Sequence, residues 1–167
     1  AAYEVIPFDD AGRQAEIAKL EAWCERGGAK PSIQLITGAG GMGKSRLMIE
    51  VCRRIAHQGW HSGFVPSGFE GDRIAALLRG NAPRLLVVDY AETRLELLRP
   101  LLLRLSALKG PKVRLVLLSR SESDWWPSLA SEERPISDLL LSSPPHMELR
   151  PLVSGLREDR LEAFRAA

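Results

Sequence analysis

The chain has 167 residues, of which 45% are hydrophobic and 26% charged, and its formal net charge is +2. That composition supplies one buried core and argues against a dedicated nucleic-acid arm or a polybasic membrane anchor. Its two cysteines, Cys24 and Cys52, are too few for a disulfide scaffold and lack metal-site spacing, so they read as buried thiols of a reducing cytoplasm.

The predicted elements run as follows. Asp10 to Cys24 reads as an amphipathic helix with Ile17, Leu20 and Trp23/Cys24 on one face and Asp9 or Asp10 as cap. Gly27 to Pro31 breaks it, and Ile33 to Thr37 is a short apolar strand. After a glycine-rich loop, Lys44 to Ala56 is helical, with Leu47, Met48, Val51, Cys52 and Ile55 on its buried face. Gly59 to Val65 forms a second strand, and Arg73 to Arg79 a short helix. Leu85 to Val88 is a wholly apolar strand ending at Asp89. Thr93 and Glu96 have capping-box spacing for a helix that Pro100 should kink or restart and that Lys109-Gly110-Pro111 stops. Val113 to Leu118 is a buried strand followed by Ser119-Arg120. Trp125 to Leu141 is partly helical, interrupted at Pro135, and Trp125-Trp126 belongs to the core. Met147 to Leu149 is the last strand, and Ser154 caps a closing helix.

Strands alternating with helices imply parallel pairing in a three-layer α/β/α sandwich. Their continuous apolar runs fit a sheet covered on both faces. The expected organisation is a single domain, with a lead-in helix over 1–30, an α/β core over 31–150 and a closing helix over 151–167. The start without methionine and the stop within a helical pattern suggest a piece of a longer protein. No apolar run approaches the ~20 residues of a membrane-spanning helix, and no secretory signal is visible.

The segment Gly38-Ala39-Gly40-Gly41-Met42-Gly43-Lys44-Ser45 fits G-x-x-x-x-G-K-[ST]. Glycines let successive N–H groups turn inward as an anion nest, and the following helix points its positive dipole end the same way. Lys44 bridges terminal phosphates, and the Ser45 hydroxyl suits Mg²⁺, a hard ion that prefers oxygen. Arg46 follows within reach of the same phosphates. Asp89 ends a buried strand at the sheet edge where ligands bind, and can hold Mg²⁺ through its water shell. Glu92, three residues later, either polarises an attacking water or is an ordinary first-turn glutamate favoured by the helix dipole. If the 113–118 strand lies beside the 33–37 strand, Arg120 reaches the γ-phosphate and senses its presence. Ser119 is a weaker candidate for that task. His57, His61 and His146 show no metal-ligand arrangement. Arg53-Arg54 and Arg94/Arg99 read as solvated helix faces.

Four features recur in order: Gly12-Arg13-Gln14-Ala15-Glu16, the 38–45 loop, Leu85 to Glu92, and Leu115 to Arg120. Together they resemble the STAND class of signal-transduction P-loop ATPases, related to the AAA+ and NB-ARC/NACHT switch proteins. The ending Met147 to Leu152 is similar to the stretch closing that core. The resemblance implies ATP or ADP with Mg²⁺ as ligands, and slow hydrolysis by Lys44, Asp89, Glu92 and Arg120. It places Gly12 and Arg13 against the adenine or ribose. It also implies flanking effector and sensor domains and a nucleotide-dependent homo-oligomer. Where the family often carries two adjacent acids, this sequence has Asp89-Tyr90-Ala91-Glu92, and the family's helical lid has no counterpart here. Two rivals stand beside this reading: a module that binds ADP or ATP without hydrolysing it, and a P-loop kinase. A GTPase is disfavoured because Asn-Lys-x-Asp is missing, and no Leu-Ser-Gly-Gly-Gln signature is present.

Overall fold

The computed structural model describes residues 11–69 and 71–152. A 3₁₀ turn, Ala11–Arg13, leads into α1, Gln14–Glu25. Then follow β1 (Ser32–Thr37), α2 (Lys44–Ala56), β2 (His61–Phe64), α3 (Asp72–Leu77) and β3 (Arg84–Val88). The chain continues with a 3₁₀ turn at Ala91–Thr93, α4 (Leu95–Ser106), β4 (Val113–Ser119), α5 (Trp125–Glu132), α6 (Arg134–Leu141) and β5 (Met147–Glu148).

The five strands form one parallel sheet in the order β2-β3-β4-β1-β5. Thr37 is in register with Ser119, and Val88 with Leu117, so β1, β4 and β3 end together at one edge. Alternation along each strand sends side chains to two separate cores. Ile36, Leu85, Val87, Val116 and Leu118 meet the buried faces of α1 and α2. Ile33, Leu35, Leu86, Val88, Val113, Leu115 and Leu117 meet α3 to α6 on the other face. The result is the expected three-layer sandwich.

Helix α2 buries Leu47, Met48, Val51, Cys52 and Ile55, as its spacing predicts. Each such side chain contributes about 1.5–3 kcal/mol as an upper bound on transfer from water. Cys24 and Cys52 are unpaired, and burial pushes their thiols up to about 12 and about 11. Trp125 and Trp126 pack edge-on, 5.6 Å apart, against the core under α5. Among the described residues no helix is long and apolar enough to cross a membrane.

Several local expectations are corrected. The capping box at Thr93 does not form: the Thr93 hydroxyl donates to the Tyr90 carbonyl, and Arg94 takes the N-cap position without a side-chain capping bond to the helix. Pro100 lies inside α4, which continues through it. Five buried leucines hold that helix to the sheet and outweigh one missing N–H. The break between α5 and α6 falls at the extended Glu133, and Pro135 sits in the first turn of α6, where its missing N–H costs nothing. Arg94 is no solvated side chain: it donates to the carbonyls of Val65 (2.8 Å) and Pro66 (2.6 Å), tying the end of β2 to α4. Arg99 pairs with Glu132, and Arg53 and Arg54 share Glu50. The proposed Asp9/Asp10 cap and the closing helix from Ser154 lie outside the described residues.

Candidate nucleotide site

Three segments converge where β1, β4 and β3 end. The loop after β1 supplies Gly38 to Gly43, and α2 begins at Lys44. Gly41 (φ 80°) and Gly43 (φ 82°) adopt left-handed backbone, which glycine does without a Cβ penalty. Among the described residues, the N–H groups of Gly41, Gly43, Lys44 and Ser45 donate to no protein acceptor. Those of Lys44 and Ser45 are the first-turn donors that every helix leaves unmatched. Four donors thus stand beside the positive end of a thirteen-residue helix. The Lys44 ammonium donates to the carbonyls of Gly38 (2.5 Å) and Ala39 (3.1 Å), folding its charge back over the same loop.

The acid at the end of β3 meets this loop directly. Ser45 Oγ donates to Asp89 Oδ2 at 2.6 Å, although the two residues are 44 apart in sequence. The other carboxylate oxygen, Oδ1, accepts the Tyr90 N–H at 2.9 Å. Tyr90 is left-handed (φ 53°), a conformation uncommon for a residue with a side chain, and its carbonyl accepts from both the N–H and the hydroxyl of Thr93. Glu92 Oε1 accepts the Arg120 N–H at 3.3 Å, while Oε2 is buried with no partner among the described residues. The Arg120 carbonyl in turn accepts the Gly38 N–H at 3.3 Å. These groups line a cleft of about 260 Å³ formed by Gly40 to Arg46, Asp89, Tyr90, Glu92 and Leu118 to Arg120. The Arg120 side chain is exposed at this cleft.

The structure therefore brings Gly40 to Arg46, Asp89, Glu92 and Arg120 together. Gly38 and Ala39 stand behind the lining, holding Lys44. Gly12 and Arg13 do not line the cleft: the buried Arg13 guanidinium is directed at the Met42 and Arg150 carbonyls and at Glu16. Tyr90, whose N–H holds the Asp89 carboxylate, and Thr93, which bonds the Tyr90 carbonyl, were missed as parts of the site by sequence reasoning, because nothing in Asp-Tyr-Ala-Glu announces a left-handed tyrosine. A larger space of about 690 Å³ adjoins the cleft, sharing Asp89, Tyr90 and Glu92 and walled by Val65 to Phe69 and Thr93 to Leu97. Two further hollows, of about 580 and 630 Å³, lie at the opposite edge of the sheet. Volume does not distinguish the candidate site from them; converging, unmatched polar groups do.

The residues present suit Mg²⁺: a hydroxyl and a carboxylate oxygen already sit in contact beside the anion nest. No cluster of three or more acidic, histidine or cysteine ligands exists among the described residues.

Loop, strand-end acid and parallel sheet define a P-loop NTPase. The profile of the family described as Novel STAND NTPase 5 matches residues 10–133, and the chain belongs to that family. Among solved structures, the Aeropyrum pernix Orc1 protein in complex with DNA matches with TM-score 0.57 and 20% identity, over 98% of this chain and 50% of that one. Drosophila ORC bound to GC-rich DNA and Cdc6 matches with TM-score 0.63 and 15% identity, over 89% of this chain and 30% of that one. The P-loop NTPase domain of the sigma-54 transport activator from E. coli matches with TM-score 0.52 and 16% identity, over 89% of this chain and 100% of that domain. At these identities the likeness is one of fold, and this chain spans half or less of the Aeropyrum and Drosophila chains. No curated protein matches it.

Proposed function

We propose that the chain is the Mg-ATP-binding switch domain of a larger signal-transduction ATPase, and that it hydrolyses ATP slowly. The observation that carries this reading is the 2.6 Å contact of Ser45 with Asp89 beside four unmatched loop and helix N–H groups. The N–H groups of Gly41, Gly43, Lys44 and Ser45 would bind phosphate oxygens, and Lys44 would leave its two carbonyls for the terminal phosphates. Ser45 and Asp89 would hold Mg²⁺, which when bound neutralises charge on the phosphate chain. Glu92 Oε2 would accept a proton from the attacking water. That water's oxygen bonds to the γ-phosphorus as the bond to the β–γ bridging oxygen breaks. Arg120 would report whether the γ-phosphate is present.

The same reading keeps residues 31–150 as the nucleotide-binding core of a single domain. It adds flanking effector and sensor domains, a nucleotide-dependent homo-oligomer and a cytoplasmic location, and gives this near-neutral domain no nucleic-acid contact. Phosphate release separates the variants of the proposal. Glu92→Gln should slow release by about 10²–10³-fold while leaving ATP affinity nearly unchanged. An equal rate in wild type and variant removes Glu92 from the chemistry, and no release from either leaves a binding module. The space beside Asp89 and Glu92 favours a second reading, transfer to a small acceptor. It requires γ-phosphate to appear on an added acceptor instead of as free phosphate.

A further inference from the structure

Arg13 is a buried charge that the proposed chemistry does not use. It is 3% exposed, and its guanidinium joins three distant segments. Nη1 donates to Glu16 Oε1 at 3.1 Å. Nη2 donates both to the Met42 carbonyl at 2.9 Å and to the Arg150 carbonyl at 2.8 Å. Met42 stands between the two left-handed glycines of the phosphate loop. Arg150 lies two residues past the end of β5.

The Met42–Gly43 peptide is trans, so its C=O and N–H point in opposite directions. Holding the Met42 oxygen toward Arg13 therefore aims the Gly43 N–H the other way. Gly43 lines the cleft, and that N–H has no protein acceptor among the described residues. Glycine tolerates either orientation of such a peptide, so the chain itself does little to prevent it from turning over. The arginine supplies the constraint. On the other side, the Leu149 N–H donates to the Thr37 carbonyl at 2.7 Å, which lays the exit segment along the end of β1. A Cβ at Gly38 would lie 2.8 Å from the Leu149 oxygen, so loop and exit segment are in direct backbone contact.

We infer that Arg13 is a positioning residue that couples occupancy of the phosphate loop to the chain leaving β5, rather than a contact to the base. It rests on the nucleotide reading above. An anion bound at the Gly43 N–H polarises that peptide and makes the Met42 carbonyl a better acceptor, since hydrogen bonds in a chain strengthen one another. The same Nη2 that is drawn toward Met42 also holds Arg150. Lysine cannot reproduce this, because its ammonium ends one atom short of the Nη2 position and has no second nitrogen to pair with Glu16 while the two carbonyls are held.

Hydrogen exchange of the intact chain with and without Mg-ADP tests the coupling, beside a titration of Mg-ADP affinity. In wild type, bound Mg-ADP should slow exchange at Leu149 and Arg150 by about tenfold, the scale of one charge-assisted hydrogen bond. Arg13→Lys should bind Mg-ADP about tenfold more weakly and, once saturated, show no nucleotide response at those amides. Glu16→Gln, which leaves both Nη2 bonds in place, should keep the response. A wild type that binds Mg-ADP with no change at 149–150 overturns the coupling even if Arg13→Lys fails to fold. A full response in saturated Arg13→Lys overturns it too. A wild type with no measurable Mg-ADP affinity overturns the nucleotide reading itself, and the coupling with it.

Discussion

Two cations of this chain hold backbone carbonyls at opposite edges of the sheet, to opposite ends. Arg114, near the start of β4, is 3% exposed. Its guanidinium donates to the carbonyls of Trp23 (3.2 Å), Lys30 (3.0 Å), Val113 (3.2 Å) and Arg26 (2.5 Å), and lies 5.8 Å from the centre of the Trp23 ring. Trp23 and Arg26 belong to the C-terminal end of α1, where carbonyls carry partial negative charge. Burial pushes the Arg114 pKa down, opposed by the neighbouring Cys24. Lys44 also bonds two carbonyls, but both lie in its own loop, beside N–H donors with no partner among the described residues. A cation whose bonds all end on fixed carbonyls is a bolt. A cation resting on a loop among unmatched donors keeps a place for an anion.

The largest effect expected from that contrast is at Arg114. Arg114→Met should destabilise the fold by about 3–4 kcal/mol, since several buried carbonyls lose a charged donor at once. Denaturant unfolding measures it, and ATP affinity of the folded protein should stay as in wild type. A variant as stable as wild type would break the comparison from the structural side. Lys44→Ala should do the reverse, costing about 100-fold or more in Mg-ATP affinity, ~2.7 kcal/mol, with stability changed by less than about 1 kcal/mol. Unchanged affinity in a titration would break it from the functional side. Arg120→Ala sharpens it further: the preference for ATP over ADP should narrow by about tenfold, ~1.4 kcal/mol, in paired titrations. Equal discrimination in wild type and variant removes Arg120 as a sensor of the third phosphate.

These two cations also mark how far the sequence can be read. Lys44 was legible because the glycine spacing, the preceding strand and the following helix all agree on one local geometry. Asp89 and the Ser119-Arg120 pair were legible for a related reason: each closes an apolar run, and parallel strands end at a common edge. That β4 lies beside β1 enters the sequence reading only as a condition, since strand order depends on long-range packing. Arg114 stands inside Val113–Leu118, which reads as a buried strand, yet three of its four carbonyl partners come from the end of α1 and the segment after it, more than eighty residues earlier. An arginine in such a run demands a partner, and that demand was the one available signal. Arg13 was expected at the base because its motif resembles a base-side one; its bonds to Met42 and Arg150 span 29 and 137 positions and leave no local trace. Thr93 and Glu96 satisfy a spacing rule that tertiary structure set aside, since the turn at Tyr90 needed the threonine hydroxyl first.

The approach of Leu149 to Gly38 sets a clearance with its own consequence. A methyl group at position 38 would sit 2.8 Å from a backbone oxygen, inside contact distance. The first glycine of the motif is thus required by the residue that follows the edge strand, quite apart from any phosphate. A larger residue there would act as a wedge, prising the two-residue strand off Thr37 while the donors at Gly41 and Gly43 kept their places. Gripping an anion and sealing the margin of the sheet are thus separable properties of one loop, divided at its opening residue.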